Sequence, residues 1–244
     1  MPSPEVEFEA ELEVFRKEAE SAVQFFYAWR TVNEVAANNK AVAATLNTAP
    51  LFRNTTLSSL QTSAFIALGR VFDQEKDTHN IDRVLRVAQR NPGIFSLESL
   101  ANRKRKLSSN SYEWLDEYLA SAYVPTPEDF RRLRKHVATR RKVYEESFRP
   151  LRHKVFAHKQ VLSGSETVAL YERAQIKDLQ QLLIFLRRLH EALWELLFNG
   201  RKPNLRPARY SVSQMRAEPR KHGGSLQERL THETEAFLKR VSPK

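Results

Sequence analysis

Phe8, Leu12, Phe15, Ala19, Ala22, Phe26 and Trp29 recur at alternating spacings of four and three. On a helix these positions form one stripe, and a stripe sustained over three heptads is a seam that another helix must cover. A chain that begins this way is committed to helix-on-helix packing. Only 6 of the 244 residues are Gly, and sheets need many turns with positive φ, so the composition leans the same way. The expected fold is all-α. It is an antiparallel four-helix-type bundle with short helical insertions, a C-terminal basic arm and a last helix.

The first helix is expected over Glu5 to Asn38, with a short Ala-rich helical turn at Ala41 to Leu46. A second starts near Thr55 or Thr56, either of which can cap it, and runs through Leu57, Leu60, Ala64, Leu68, Val71 and Phe72. Short helices follow at Ile81–Gln89, Leu97–Arg105 and Tyr112–Ala120, with Asn91-Pro92-Gly93 as a breaker. Thr126-Pro127-Glu128-Asp129 has the pattern of a helix start: cap, first-turn proline and two acids at the positive end. The third major helix then carries Phe130, Leu133, Val137, Tyr144, Phe148, Leu151 and Val155. Pro150 should kink or break it, because proline donates no hydrogen bond and clashes with the preceding turn. Gln160 to Glu172 reads as a loop, and a fourth helix runs from Gln175 to Asn199, ended by Gly200.

The division expected from this pattern is a bundle over 5–200, a Pro-containing basic arm over 201–224, and an amphipathic helix over 225–241. Arg201 to Gly224 holds seven cations against one acid, Glu218, and is expected to be extended or disordered.

Lys and Arg number 40 against 29 Asp and Glu, a net charge of +11. Phosphates reward such an excess through counterion release, so a nucleic acid, RNA here, is the first expected partner, with an anionic membrane surface as the rival and a basic surface without a specific partner as the plain alternative. The chain has no Cys, which excludes disulfides, thiol nucleophiles and thiolate metal sites. No His, Asp and Glu spacing matches a zinc site, and no cofactor is expected. The most apolar stretch, Leu179 to Phe198, includes Arg187, Arg188, His190, Glu191 and Glu195, so no membrane span is expected. Met1-Pro2-Ser3-Pro4-Glu5 lacks the basic start and apolar run of a secretory signal, which leads to an expectation of the cytoplasm.

Arginine followed by His within five to seven positions occurs three times: Arg131 to His136, Arg152 to His158, and Arg216 to His222. With 26 Arg and 7 His, about two such pairs arise by chance, so context must choose. The first pair sits mid-helix among other cations and the third lies in the arm. Arg152-His153-Lys154-Val155-Phe156-Ala157-His158-Lys159 follows Pro150, where the helix should change course and a rigid pocket can form.

That string, closing the third major helix as Arg-polar-Lys-apolar-apolar-Ala-His, resembles the HEPN superfamily, and within it the abortive-infection AbiU-type branch. Leu68-Gly69-Arg70-Val71-Phe72-Asp73 is similar to that branch's second helix. The likeness covers about Phe8 to Leu197. It implies a metal-independent endoribonuclease, a toxin or antiphage effector that acts as a homodimer, in some cases neutralised by a cognate antitoxin.

The residues suit such chemistry. RNA brings its own nucleophile, the 2′-OH. His158, with an ordinary pKa of about 6.5, can take that proton, and the Arg152 guanidinium can stabilise charge on the phosphate. His153 is the candidate to orient Arg152 or contact phosphate. Lys154, Lys159, Arg201, Lys202, Arg206 and Arg209 are the candidate RNA contacts.

Six residues of straight α-helix leave Arg152 and His158 roughly 120° apart. Either the helix ends before His158 or a second copy completes the site. The plainer alternatives are a core-edge His158, an Arg152 ion-paired with Glu145 or Glu146, and a hydrogen-bonded buried His190. At the level of function, the alternative is a non-catalytic helical module that binds nucleic acid or protein.

Overall fold

The computed structural model describes residues 2–107, 113–157, 161, 163–220 and 224–242. All regular structure among them is helical, so the fold is all-α. The elements are α1 (Pro4–Asn38), α2 (Lys40–Asn47), α3 (Pro50–Phe72), α4 (Ile81–Arg90), α5 (Leu97–Leu107), α6 (Leu115–Ala120), α7 (Pro127–Val143), α8 (Arg149–Leu151), α9 (Gly164–Arg173), α10 (Ile176–Asn199), α11 (Val212–Ala217) and α12 (Leu226–Val241).

Two compact units divide the chain. Residues 1–17, 70–142 and 185–206 form the first, and 18–69, 143–184 and 207–244 the second. In the first, Phe8 meets Phe95 edge-on at 5.4 Å, and Phe95 meets Phe130 at 5.6 Å. Glu11, almost fully buried, is held by Arg83 Nε and by His79 Nδ1 at 2.9 Å. In the second, the buried Tyr27 donates its hydroxyl to the Tyr210 carbonyl at 2.8 Å. Val35, Val42 and Leu238 form a small core there.

The α1 seam is buried from Phe8 through Phe26. Trp29 is only partly covered, and Val23 and Tyr27 are fully buried beside the seam. Asn39 caps α2 by accepting from the Ala41 and Val42 backbone N–H groups. Gly200 ends α10 at φ +56, the left-handed conformation that glycine adopts without strain, and its N–H donates to the Leu196 carbonyl.

Four local expectations are corrected. Helix α3 begins at Pro50, and Thr55 and Thr56 lie exposed within it. Its first bond runs from the Arg53 N–H to the Ala49 carbonyl, and Pro50 takes the first-turn position where a missing N–H costs nothing. Pro150 does not break its helix. Tyr144–Phe148 and Arg152–Ala157 are π-helical, and the chain stays helical from Pro127 to Ala157. The wider turn lets the Arg149 N–H reach the Tyr144 carbonyl five residues back, which re-routes bonding around the proline ring. The expected loop at 160–172 contains α9, started by a capping box between Ser163 and Glu166. The expected extended arm carries α11, capped by Ser211, with Val212 and Met215 buried.

Candidate functional site

Arg152 opens the second π-helical stretch. Its side chain is half-buried and crosses α3 at Gly69, within the second unit. A Cβ placed on Gly69 would lie 2.2 Å from Arg152 Nε and 2.6 Å from its Cδ and Cζ. The guanidinium stem therefore rests on bare helix backbone. One helical turn before Gly69, Phe65 stacks on Phe156 at 4.6 Å with rings 19° apart, and meets Phe148 at 6.3 Å. This aromatic cluster fixes the helical segment from which Arg152 projects.

Arg152 Nε is buried and finds no acceptor among the described residues. A buried donor left unmade carries a desolvation penalty that native structures rarely tolerate without a reason. Next to it, His153 is exposed and Lys154 is half-buried. Glu166, at the start of α9, is held below the usual carboxylate range, first by hydrogen bonds from the Ser163 backbone and hydroxyl and in smaller part by the Lys154 charge.

His158 and Lys159 lie outside the described residues. The 120° offset expected between Arg152 and His158 assumed α geometry. From Arg152 to Ala157 the helix is π, so each residue turns the chain through less than the about 100° of an α-helix, and the figure does not hold.

A family model for AbiU2, a HEPN family, matches residues 5–214. The chain belongs to the AbiU2 family of HEPN domains. It is thus an abortive-infection-related HEPN domain. The match reaches past Leu197, where the sequence likeness ended, and takes in much of the basic segment. No curated protein and no solved structure matches the chain.

The other candidates of this HEPN domain fall into separate groups. Arg201, Lys202 and Arg206 are exposed in the first unit. Arg201 pairs with Glu195 at 3.3 Å, and Lys202 Nζ lies 5.3 Å above the Tyr123 ring. Arg209, in the second unit, is mostly buried and committed internally. It pairs with Glu218 at 3.0 Å and Glu228 at 3.5 Å and donates to the Gln214 and Glu218 carbonyls. Its assignment as an RNA contact is thereby disfavoured, because those donors are already engaged.

His190 is buried, as its place on the α10 seam implies, but its Nδ1 has no hydrogen-bond partner among the described residues. Burial, and then the Arg187 and Arg16 charges, push its pKa down to about 4, against a smaller opposing effect of Glu13. The ring is neutral at pH 7. Among the described residues, no group of three or more His, Asp or Glu is gathered as a metal ion would require. None of the helices there is long and apolar enough to cross a membrane.

Sequence reasoning missed Gly69 as the neighbour of Arg152. A lone Gly inside an otherwise helical pattern was the available signal, since such a position usually has a packing reason.

Proposed function

We propose that this HEPN domain is an endoribonuclease. The 2′-oxygen of RNA attacks its own phosphorus, forming the 2′-O–P bond as the P–O5′ bond breaks. His158 takes the 2′-OH proton, and Arg152 stabilises the charge that builds on the phosphate oxygens. The departing 5′-oxygen takes a proton from water, leaving a 2′,3′-cyclic phosphate and a 5′-OH. The chemistry asks nothing of a metal. His153 orients the guanidinium or binds a neighbouring phosphate. Lys154, Lys159, Arg201, Lys202 and Arg206 supply sequence-independent contacts to the RNA backbone.

The observation that carries this reading is the half-buried Arg152, whose Nε–H has no acceptor among the described residues. A partly desolvated guanidinium is suited to a developing phosphate anion, because charge interacts more strongly away from water. Membership of the AbiU2 HEPN family and the Arg152-to-His158 spacing support the same reading. The active form is a homodimer whose two-fold axis brings two copies of the string together. As a toxin or antiphage effector it would be held in check by a cognate antitoxin.

The test is cleavage of a defined RNA in EDTA by wild type, Arg152→Ala and His158→Ala. Both variants should lose cleavage, and co-expression of the two should restore part of it if each site draws on both copies. Salt-dependent binding with the RNA recovered intact would point instead to a non-catalytic binding module.

A further inference from the structure

We infer that Gly69 is the positioning residue for Arg152: the guanidinium occupies its place because position 69 carries no side chain. The inference rests on the nuclease reading for its functional meaning, and on geometry alone for the contact itself.

Glycine is among the poorest helix formers, yet Gly69 lies within the 23-residue α3, three residues before its end at Phe72. Its backbone does not demand glycine. Among the described residues the glycine with a positive φ is Gly200, and Gly69 has ordinary right-handed helical geometry that Ala would adopt readily. What position 69 cannot accommodate is a methyl group. A Cβ there would stand 2.2 Å from Arg152 Nε, far inside any van der Waals contact. The atoms in the way are Cδ and two atoms of the guanidinium itself, Nε and Cζ. To clear them the whole guanidinium must swing off α3.

The Arg152 backbone has little freedom to follow. Phe156, one turn further along the same helical stretch, is stacked on Phe65, one turn before Gly69. The aromatic pair and the glycine form a two-point seat across the same two helices. Phe65 fixes the helix and Gly69 admits the side chain. Displacing a catalytic group by about 1 Å can cost about a hundredfold in rate, which is the scale at issue here.

The experiment is a double-mutant cycle with G69A, R152A and the pair, read three ways. In G69A the Arg152 Nε–Hε resonance should move, and kcat on RNA should fall about a hundredfold with KM changed by less than about threefold. Thermal unfolding gives the readout that does not depend on catalysis. In the R152A background the collision is gone, so G69A should raise the midpoint by about 2–4 °C, as Gly→Ala in a helix does. With Arg152 present that gain should vanish or reverse.

An equal shift in both backgrounds, together with an unmoved Nε–Hε resonance, would overturn the inference, as would a G69A enzyme of wild-type kcat. If the wild type cleaves no RNA, the nuclease reading fails, while the unfolding cycle still decides whether Gly69 seats Arg152.

Discussion

Replacing Arg152 with Met should make the protein more stable and inactive. The methionine side chain reaches about as far as Nε, so it keeps the apolar stem that crosses Gly69 and deletes the donor that finds no acceptor among the described residues. A buried unsatisfied donor costs about 1–3 kcal/mol. Removing it should therefore recover about 1–3 kcal/mol. For a chain of this size each kcal/mol moves the unfolding midpoint by about 2–4 °C, so the expected rise is a few degrees and at most about 10 °C. Thermal and urea unfolding followed by far-ultraviolet circular dichroism, with RNA cleavage measured on the same preparations, provides the assay. The reasoning is refuted if Arg152→Met lowers the midpoint, because the guanidinium would then contribute to the fold. It is equally refuted if the variant still cleaves.

Other outcomes follow from groups outside that site. His190 has a folded pKa of about 4 against an ordinary value of 6.5. The unfolded chain therefore binds the proton first, and stability should fall as pH drops from about 6.5 and level off below about 4. At about 1.4 kcal/mol per pH unit the loss is on the order of 3 kcal/mol. His190→Leu should flatten that acid limb, and an unchanged limb in chemical unfolding between pH 7 and 4 would count against it. Arg216 donates to Glu235 at 2.9 and 3.1 Å, and this pair holds the carboxyl at about 2. Its contribution is present above the ordinary glutamate pKa and fades as pH falls toward 2, so Glu235→Gln should cost about 1–3 kcal/mol at pH 7 and progressively less in acid. Neutralising Arg201, Lys202 and Arg206 together should reduce the salt dependence of single-stranded RNA binding by about 2 in log–log slope, measured by titration. No change in slope would remove these three as backbone contacts.

Much of the fold was legible because it is written in local pattern. The alternating seam of α1 and the Pro127 start of α7 follow from periodicity and end chemistry, and so does the Gly200 stop of α10. Their buried residues match the stripes. The misreadings have separate causes. Ser163-Gly164-Ser165 has turn composition, yet Ser163 and Glu166 together cap a helix, so the spacing outweighed the composition. Pro150 would break an α-helix, but two flanking π stretches redistribute the carbonyls it orphans. Prolines and charge point to an extended arm, while Val212 and Met215 are buried and anchor α11. Arg152 stood out as a candidate from its string and its place after Pro150. Its seat did not, because Gly69 is 83 positions away in sequence and no periodicity relates the two. His158 completes the string in sequence and lies outside the described residues.

The chemistry of the cut ends tests the proposed cleavage most directly. A defined RNA incubated with the wild-type protein in EDTA, with fragments resolved by mass spectrometry, should yield 2′,3′-cyclic phosphate and 5′-hydroxyl termini. Fragments ending in 3′-hydroxyl and 5′-phosphate, or RNA recovered uncut at every protein concentration, would contradict attack by the substrate's own hydroxyl beside Arg152.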